Sequence, residues 1–196
     1  ILADLGFIDK NELSKISKNA DTLGGHPEIN QKLGIEIITG SLGHGLPICC
    51  GIALAAKYNR QNFRTIALLG DGECQEGAVW ESALFAAQHK LDNLIAIIDN
   101  NDLQAIQPIK DVLKLSPLAE KWSAFGWSVE EIDGHNIQEI CRTLKRLPFS
   151  AGKPSTIICR TIKGKGVSFM ENIPIWHYRC PNESEFNQAM AELSVK

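Results

Sequence analysis

Four apolar, largely β-branched runs punctuate the chain: IEIIT (35–39), TIALL (65–69), LIAIID (94–99) and STIICRTI (155–162). They are apolar almost throughout and do not alternate with polar residues. Strands covered on both faces read this way, which favours a parallel sheet. WSVEEI (127–132) reads as a fifth strand, half exposed by its pattern. Helical stretches lie between them. LPICCGIALAAKYN carries Pro47 in a first-turn position, and EGAVWESALFAAQHK is rich in small residues that permit close packing. PLAEKWSAF follows, then NIQEICRTLKRL, in which Asn136 and Glu139 have capping-box spacing. The order strand, helix, strand, helix, strand predicts an α/β fold: a doubly wound, mostly parallel open sheet with right-handed crossovers. The stretch KGKGVSFMENIPIWHYRCPN (163–182) has no periodicity and reads as a long ordered loop, a type that often carries function.

Composition narrows the classes. The 196 residues suffice for one domain with a real core, and a net charge of −3 without a basic block argues against nucleic-acid binding. The opening residues lack a signal-peptide layout, and no apolar run has the length of a membrane span. The six cysteines form no CxxC pair, so reduced, mostly buried thiols in a cytoplasmic protein are expected.

The chemistry is expected at the carboxyl ends of the strands, where open parallel sheets bind ligands. TIALL ends in Gly70-Asp71-Gly72-Glu73 and LIAII in Asp99-Asn100-Asn101-Asp102-Leu103. A single helix joins these runs, so Asp71 and Asn101 fall at the same edge of one strand–helix–strand unit. A carboxylate, an amide oxygen and a backbone carbonyl make a hard, incomplete oxygen set suited to Mg²⁺ or Ca²⁺ with a phosphate-bearing ligand. Gly70 and Gly72 would let backbone approach that ligand closely. Each half alone also fits a plain turn or an Asx-rich loop. An EF-hand and a P-loop are both excluded by the residue spacing.

The two halves together resemble the thiamine-diphosphate motif. GGHPEINQKLGIEIITGSLGHGL, GDGECQEGAVWE, KWSAFGW, EIDGHN and RTIKGKGVSFMEN…WH extend the likeness to the transketolase family over almost the whole chain. It is strongest to the N-terminal subunits of two-gene transketolases, which carry the diphosphate-binding (PP-type) domain.

The resemblance implies ketol transfer with thiamine diphosphate and Mg²⁺, with Ca²⁺ or Mn²⁺ as substitutes. It places Asp71 and Asn101 on the metal by side chain and Leu103 by its carbonyl. Gly72 would contact the diphosphate, with Gly70 and Asn101 beside it, and Gly40, Ser41 and Leu42 would line the cofactor. His26 would orient a sugar donor and exchange protons with it, and His177 would reach the diphosphate and reacting carbons. Glu76 would join a carboxylate network at a subunit interface that also holds Glu81. Glu73 is read as local electrostatics and His135 as structural. His44 would contact the cofactor region or only pack. Lys163 and Lys165 would attract phosphate or stay solvated.

The chain begins at Ile1, although the family has an earlier Gly-His segment. A single domain over residues 1–196, truncated at its N-terminus, is therefore expected. The catalytic glutamate of the family lies on a pyrimidine-binding half that is absent from these residues. A C-terminal pyrimidine-domain partner, a heterotetramer in which this chain is paired with its own copy, and sugar or sugar-phosphate substrates follow as expectations. The alternatives are a related thiamine-diphosphate synthase and a non-catalytic cofactor-binding subunit.

Overall fold

Strands β1 (Thr65–Gly70) and β2 (Leu94–Asn100) lie side by side in parallel, with Thr65 opposite Leu94 and Gly70 opposite Asp99. The computed structural model describes residues 1–16, 23–105 and 107–194. A two-residue hairpin of β3 (Leu103–Gln104) and β4 (Gln107–Pro108) follows β2. With β5 (Ser128–Asp133) and β6 (Ser155–Arg160), the main sheet has four strands, all parallel, in the order β1-β2-β6-β5. This is the α/β architecture that the apolar runs predict.

The described residues form two compact units, Ile1–His44 and Gly45–Lys196. The first holds the short helix α1 (Lys10–Leu13) and a 3₁₀ turn at Gln31–Leu33. The second holds the sheet and helices α2 (Gly45–Tyr58), α3 (Gly77–Gln88), α4 (Ile109–Val112), α5 (Leu118–Ala124), α6 (Ile137–Lys145) and α7 (Glu183–Ser194).

The pleat of β2 divides the core of the second unit into two layers. Leu94, Ala96 and Ile98 join a cluster with Leu46, Cys50 and Ala53 of α2, Val79, Ala83 and Ala86 of α3, and Trp122 of α5. Ile95, facing the other way, joins Ile132 and Ile157, with Ile140 and Leu144 of α6 against them. Helices therefore cover both faces of β2. Trp122 lies 5.4 Å from Trp80 and 4.8 Å from Trp127, ring centre to ring centre, so an aromatic stack anchors α3 and α5. The N-terminus of α6 shows half of the expected capping box: the Asn136 side chain accepts from Glu139 N–H at 3.1 Å, while Asn136 N–H donates to Asp133 C=O at 3.1 Å and not to the Glu139 side chain.

Three expectations need correction. IEIIT forms no strand. Ile35 makes only an isolated bridge to Asn30 that closes the Gln31–Leu33 turn, with Ile38 63% exposed. A β-branched run becomes a strand only where a neighbour pairs with it, and residues 36–39 have none among the described residues. Helix α2 accordingly precedes the first strand. Second, β1 is not covered on both faces: Ile66 and Leu68 are 53% and 73% exposed. β1 is an edge strand, and the layer built on α6 stops short of it. Third, the thiols are not mostly buried. Cys50 and Cys74 are, whereas Cys141 and Cys180 are exposed; all six are free. Burial pushes the Cys50 and Cys74 thiols up to about 12, which keeps them protonated and unreactive. Among the described residues, no helix is long and apolar enough to cross a membrane.

Candidate functional site

The site grows from the crossover β1–α3–β2, which brings two strand ends to one edge. Asp71, directly after β1, is 2% exposed. Its Oδ1 accepts from Gly72 N–H at 2.8 Å. Its Oδ2 accepts from Asp102 N–H at 2.6 Å and from Asn100 Nδ2 at 3.0 Å. Asn101 Oδ1 accepts from Leu103 N–H at 2.9 Å, closing the turn, and Asp102 takes φ +59°, a left-handed conformation that Asp tolerates. Three donors thus hold Asp71, yet no Lys, Arg or His pairs with it among the described residues. Burial raises its pKa above the usual carboxylate range. The donors offset part of that rise, and the nearby Asp102 charge adds to it.

A buried carboxylate without a cation is a costly arrangement that a bound cation relieves. Among the described residues, no three His, Cys, Asp or Glu side chains gather as a metal cluster. A cation at Asp71 therefore draws on amide and backbone oxygens, which is hard-cation chemistry. The residues present fit a hard divalent cation held together with a phosphate-bearing ligand.

The turn is braced from behind. The Glu73 carboxylate accepts from Gly70 N–H at 3.2 Å, Cys74 Sγ donates to Gly70 C=O at 3.5 Å, and Trp80 Nε1 donates to Cys74 C=O at 2.8 Å. Glu73 thus occupies an edge-strand N–H that no strand pairs with among the described residues. Gly72 has a distinct reason to lack a side chain: a Cβ there would stand 2.9 Å from Gln104 Cβ, so the glycine lets β3 settle onto the turn. Gln104 Oε1 is buried there without a hydrogen-bond partner among the described residues. Gly70 has open space where a Cβ would go.

Asp71, Asn101 and Leu103 share the wall of a cavity of about 570 Å³ with Asn100, Asp102, Lys110, Lys114, Thr161 and Asn172. Gly70, Gly72, Glu76 and His177 are not on that wall. Glu76 is exposed at the N-cap of α3, without a side-chain capping bond. Exposed Glu81, Leu84 and Phe85 follow on the same helix. His177 is exposed at the end of a 3₁₀ turn, Pro174–His177, that packs beside β3. Lys165 pairs with Glu171 at 3.7 Å, and Lys163 is absent from the cavity wall. His135 is structural: its Nε2 accepts from Ile162 N–H at 2.8 Å, tying the ends of β5 and β6 together.

His26, Gly40, Ser41 and Leu42 belong to the first unit. Within it, Gly40 takes φ +120°, and a Cβ would meet the His26 ring at 2.3 Å. Only glycine fits there. Ser41 and Leu42 are exposed in the turn that follows.

Sequence reasoning missed Asn100, Gln104, Thr161 and the two cavity lysines. The strand-end rule reaches Thr161, which directly follows β6 and donates to the Asp99 carboxylate. No sequence signal marks Gln104, whose place depends on how the hairpin folds back.

Comparison with known proteins decides the family. The model of the transketolase thiamine diphosphate binding domain matches residues 4–194. The chain belongs to the transketolase family. It carries that family's thiamine diphosphate binding domain, and its relatives are transferases. It is 41% identical over 191 residues to an apulose-4-phosphate transketolase subunit of Phocaeicola vulgatus, covering 97% of this chain and 68% of that one. The subunit of the same name from Actinobacillus succinogenes is 44% identical over 192 residues, covering 98% and 69%. The 6-deoxy-6-sulfo-D-fructose transketolase subunit SqwG of a Clostridium species is 38% identical, covering 98% and 70%. Among solved structures, transketolase from Campylobacter jejuni superposes with TM-score 0.83 at 30% identity, over 94% of this chain and 30% of that one. This transketolase-family chain thus spans about a third of that solved protein.

Proposed function

We propose that this chain is the diphosphate-binding subunit of a transketolase-type enzyme. The enzyme moves a two-carbon ketol unit from a ketose or ketose phosphate to an aldose or aldose phosphate. The observation that carries this reading is Asp71, buried and without a cationic side-chain partner among the described residues, on the same cavity wall as Asn101 and Leu103 in a chain that belongs to this family. Thiamine diphosphate supplies the nucleophilic carbon that this chemistry requires. The Asp71 and Asn101 side chains and the Leu103 carbonyl hold Mg²⁺, and Ca²⁺ or Mn²⁺ can replace it. Gly70, Gly72, Gly40, Ser41 and Leu42 offer backbone to the cofactor without crowding it. His26 and His177 orient the sugar and exchange protons with its hydroxyls. Glu76 acts through a carboxylate network where two copies of the subunit pair.

Turnover requires a C-terminal pyrimidine-domain subunit, and two such pairs make a cytoplasmic heterotetramer. Three relatives, of which this chain covers 68%, 69% and 70%, are themselves named as subunits of a transketolase, which supports that division of labour. Calorimetry with thiamine diphosphate and Mg²⁺, with the partner subunit present, tests the cofactor site, and saturable Mg²⁺-dependent binding is expected. Ketose phosphates then test for ketol transfer. No binding, together with an Asp71→Ala variant that behaves like the parent, would remove the cofactor site. Binding without transfer from any ketose would sink the enzymatic reading and leave a cofactor-binding subunit.

A further inference from the structure

The cavity beside Asp71 carries two lysines that the metal chemistry does not use. Lys110 belongs to the short α4, and Lys114 lies just beyond its end, after the extended Leu113. Both are exposed, both are on the cavity wall, and neither has an ion-pair partner among the described residues. The backbone that bears them is fixed. Ile109 and Leu115 are buried on either side, at 5% and 8% exposure. Ile109 N–H donates to Asp102 C=O at 3.0 Å, Gln75 Nε2 donates to Leu113 C=O at 2.9 Å, and Lys121 Nζ donates to Leu115 C=O at 2.6 Å. The segment is therefore tied to both strand ends of the site, and the two ammonium groups project from a held frame.

Charge balance says what they face. The charged residues on the wall are Asp71, Asp102, Lys110 and Lys114. A divalent cation at Asp71 offsets the two carboxylates and leaves the two ammonium groups uncompensated. An anion of about two charges or more answers the balance, which a phosphate monoester, at about −1.5 to −2 near neutral pH, and an esterified diphosphate both supply. We propose that Lys110 and Lys114 form an anion-binding wall for the phosphoryl groups of the ligand that shares the Asp71 cation. The inference rests on the function proposed above and adds two residues to it. The same chemistry has two sources, the diphosphate of the cofactor and the phosphate of a sugar substrate.

Titration calorimetry on the full chain separates them, using Mg²⁺ with inorganic pyrophosphate, with thiamine diphosphate, with unphosphorylated thiamine, and with a ketose phosphate. Lys110→Gln and Lys114→Gln should each weaken pyrophosphate and thiamine diphosphate binding roughly tenfold, and the double variant by up to about a hundredfold, as expected for charge-assisted contacts. The salt dependence of binding should flatten in the double variant. Lys→Arg at both positions should restore most of the loss, and Lys153→Gln, a surface lysine off the cavity wall, should change nothing. Weakened binding of the ketose phosphate alone would support the wall and assign it to the substrate. Binding of pyrophosphate through the lysines, without binding of thiamine diphosphate, would keep the wall and sink the cofactor reading. Pyrophosphate and ketose phosphate affinities within about twofold of the parent in the double variant would overturn the proposal, as would failure of the parent to bind either.

Discussion

Strands β1 and β2 pair residue for residue and both are apolar, yet they live in different environments. In β2, Leu94, Ile95, Ala96 and Ile98 are all fully buried, because helices cover both faces. In β1 only alternate residues are buried, and Ile66 and Leu68 face outward. The same contrast holds at the strand ends with the roles exchanged: Asp71 after β1 is buried, whereas Asp99, paired with Gly70, is exposed. The central strand supplies rigidity, and the edge strand supplies the buried acid. An edge strand suits that task, because its terminal turn can be closed by groups from the neighbouring strand end, here Asn100 and Asp102.

Paired substitutions test this difference. The largest effect is expected in the core: Ile98→Ala should cost about 2–5 kcal/mol in urea unfolding, against less than about 1 kcal/mol for Leu68→Ala. Equal losses would mean that the outer face of β1 is covered in solution. At the strand ends, Asp71→Ala should weaken Mg²⁺-dependent thiamine diphosphate binding on the order of a hundredfold or more. Asp99→Ala should stay within about threefold of the parent, since it loses only an exposed bond from Thr161. Calorimetry reads both, and the reverse ranking would move the cation site. The two glycines of the turn separate more finely. Gly72→Ala should destabilise by about 1–3 kcal/mol, because its Cβ would press on Gln104, whereas Gly70→Ala meets nothing and should cost under about 1 kcal/mol. Thermal melts of both variants decide it.

The smallest effect near neutrality is that of pH. Asp71 has a raised pKa, so in the metal-free chain its neutral form contributes stability that is complete below the ordinary carboxylate value. That contribution is lost as pH rises through the raised one. A cation binds the ionised form and works the opposite way. The thermal shift produced by Mg²⁺ with thiamine diphosphate should therefore shrink as pH falls from about 7.5 toward about 5, starting above the usual carboxylate range. A shift independent of pH in Asp71→Asn would tie the effect to this group, and the same slope in that variant would assign it elsewhere.

Four of the five expected strands and all four expected helices are present, because periodicity and length carried enough information. The fifth, IEIIT, has strand composition without a strand partner. The turn Gly70-Asp71-Gly72 and the turn after LIAII were legible as one site because a strand–helix–strand crossover forces their ends to one edge. Lys110, Lys114 and Gln104 were not legible. They reach the site by a hairpin and a one-turn helix whose paths depend on Asp102, Gln75 and Gly72.

By itself, the sequence determined the α/β class, the placing of Asp71 and Asn101 at one edge of adjacent strand ends, and membership of a thiamine diphosphate-binding family. These follow from local periodicity, from a topology rule that depends on element order alone, and from motifs that run along nearly the whole chain. Tertiary structure alone decided which apolar strand is central and which is an edge. It also decided that Asp71 is buried without an ion-pairing side chain among the described residues, and that two lysines share its cavity wall. Burial and charge balance depend on which segments meet in space, and no local pattern encodes that.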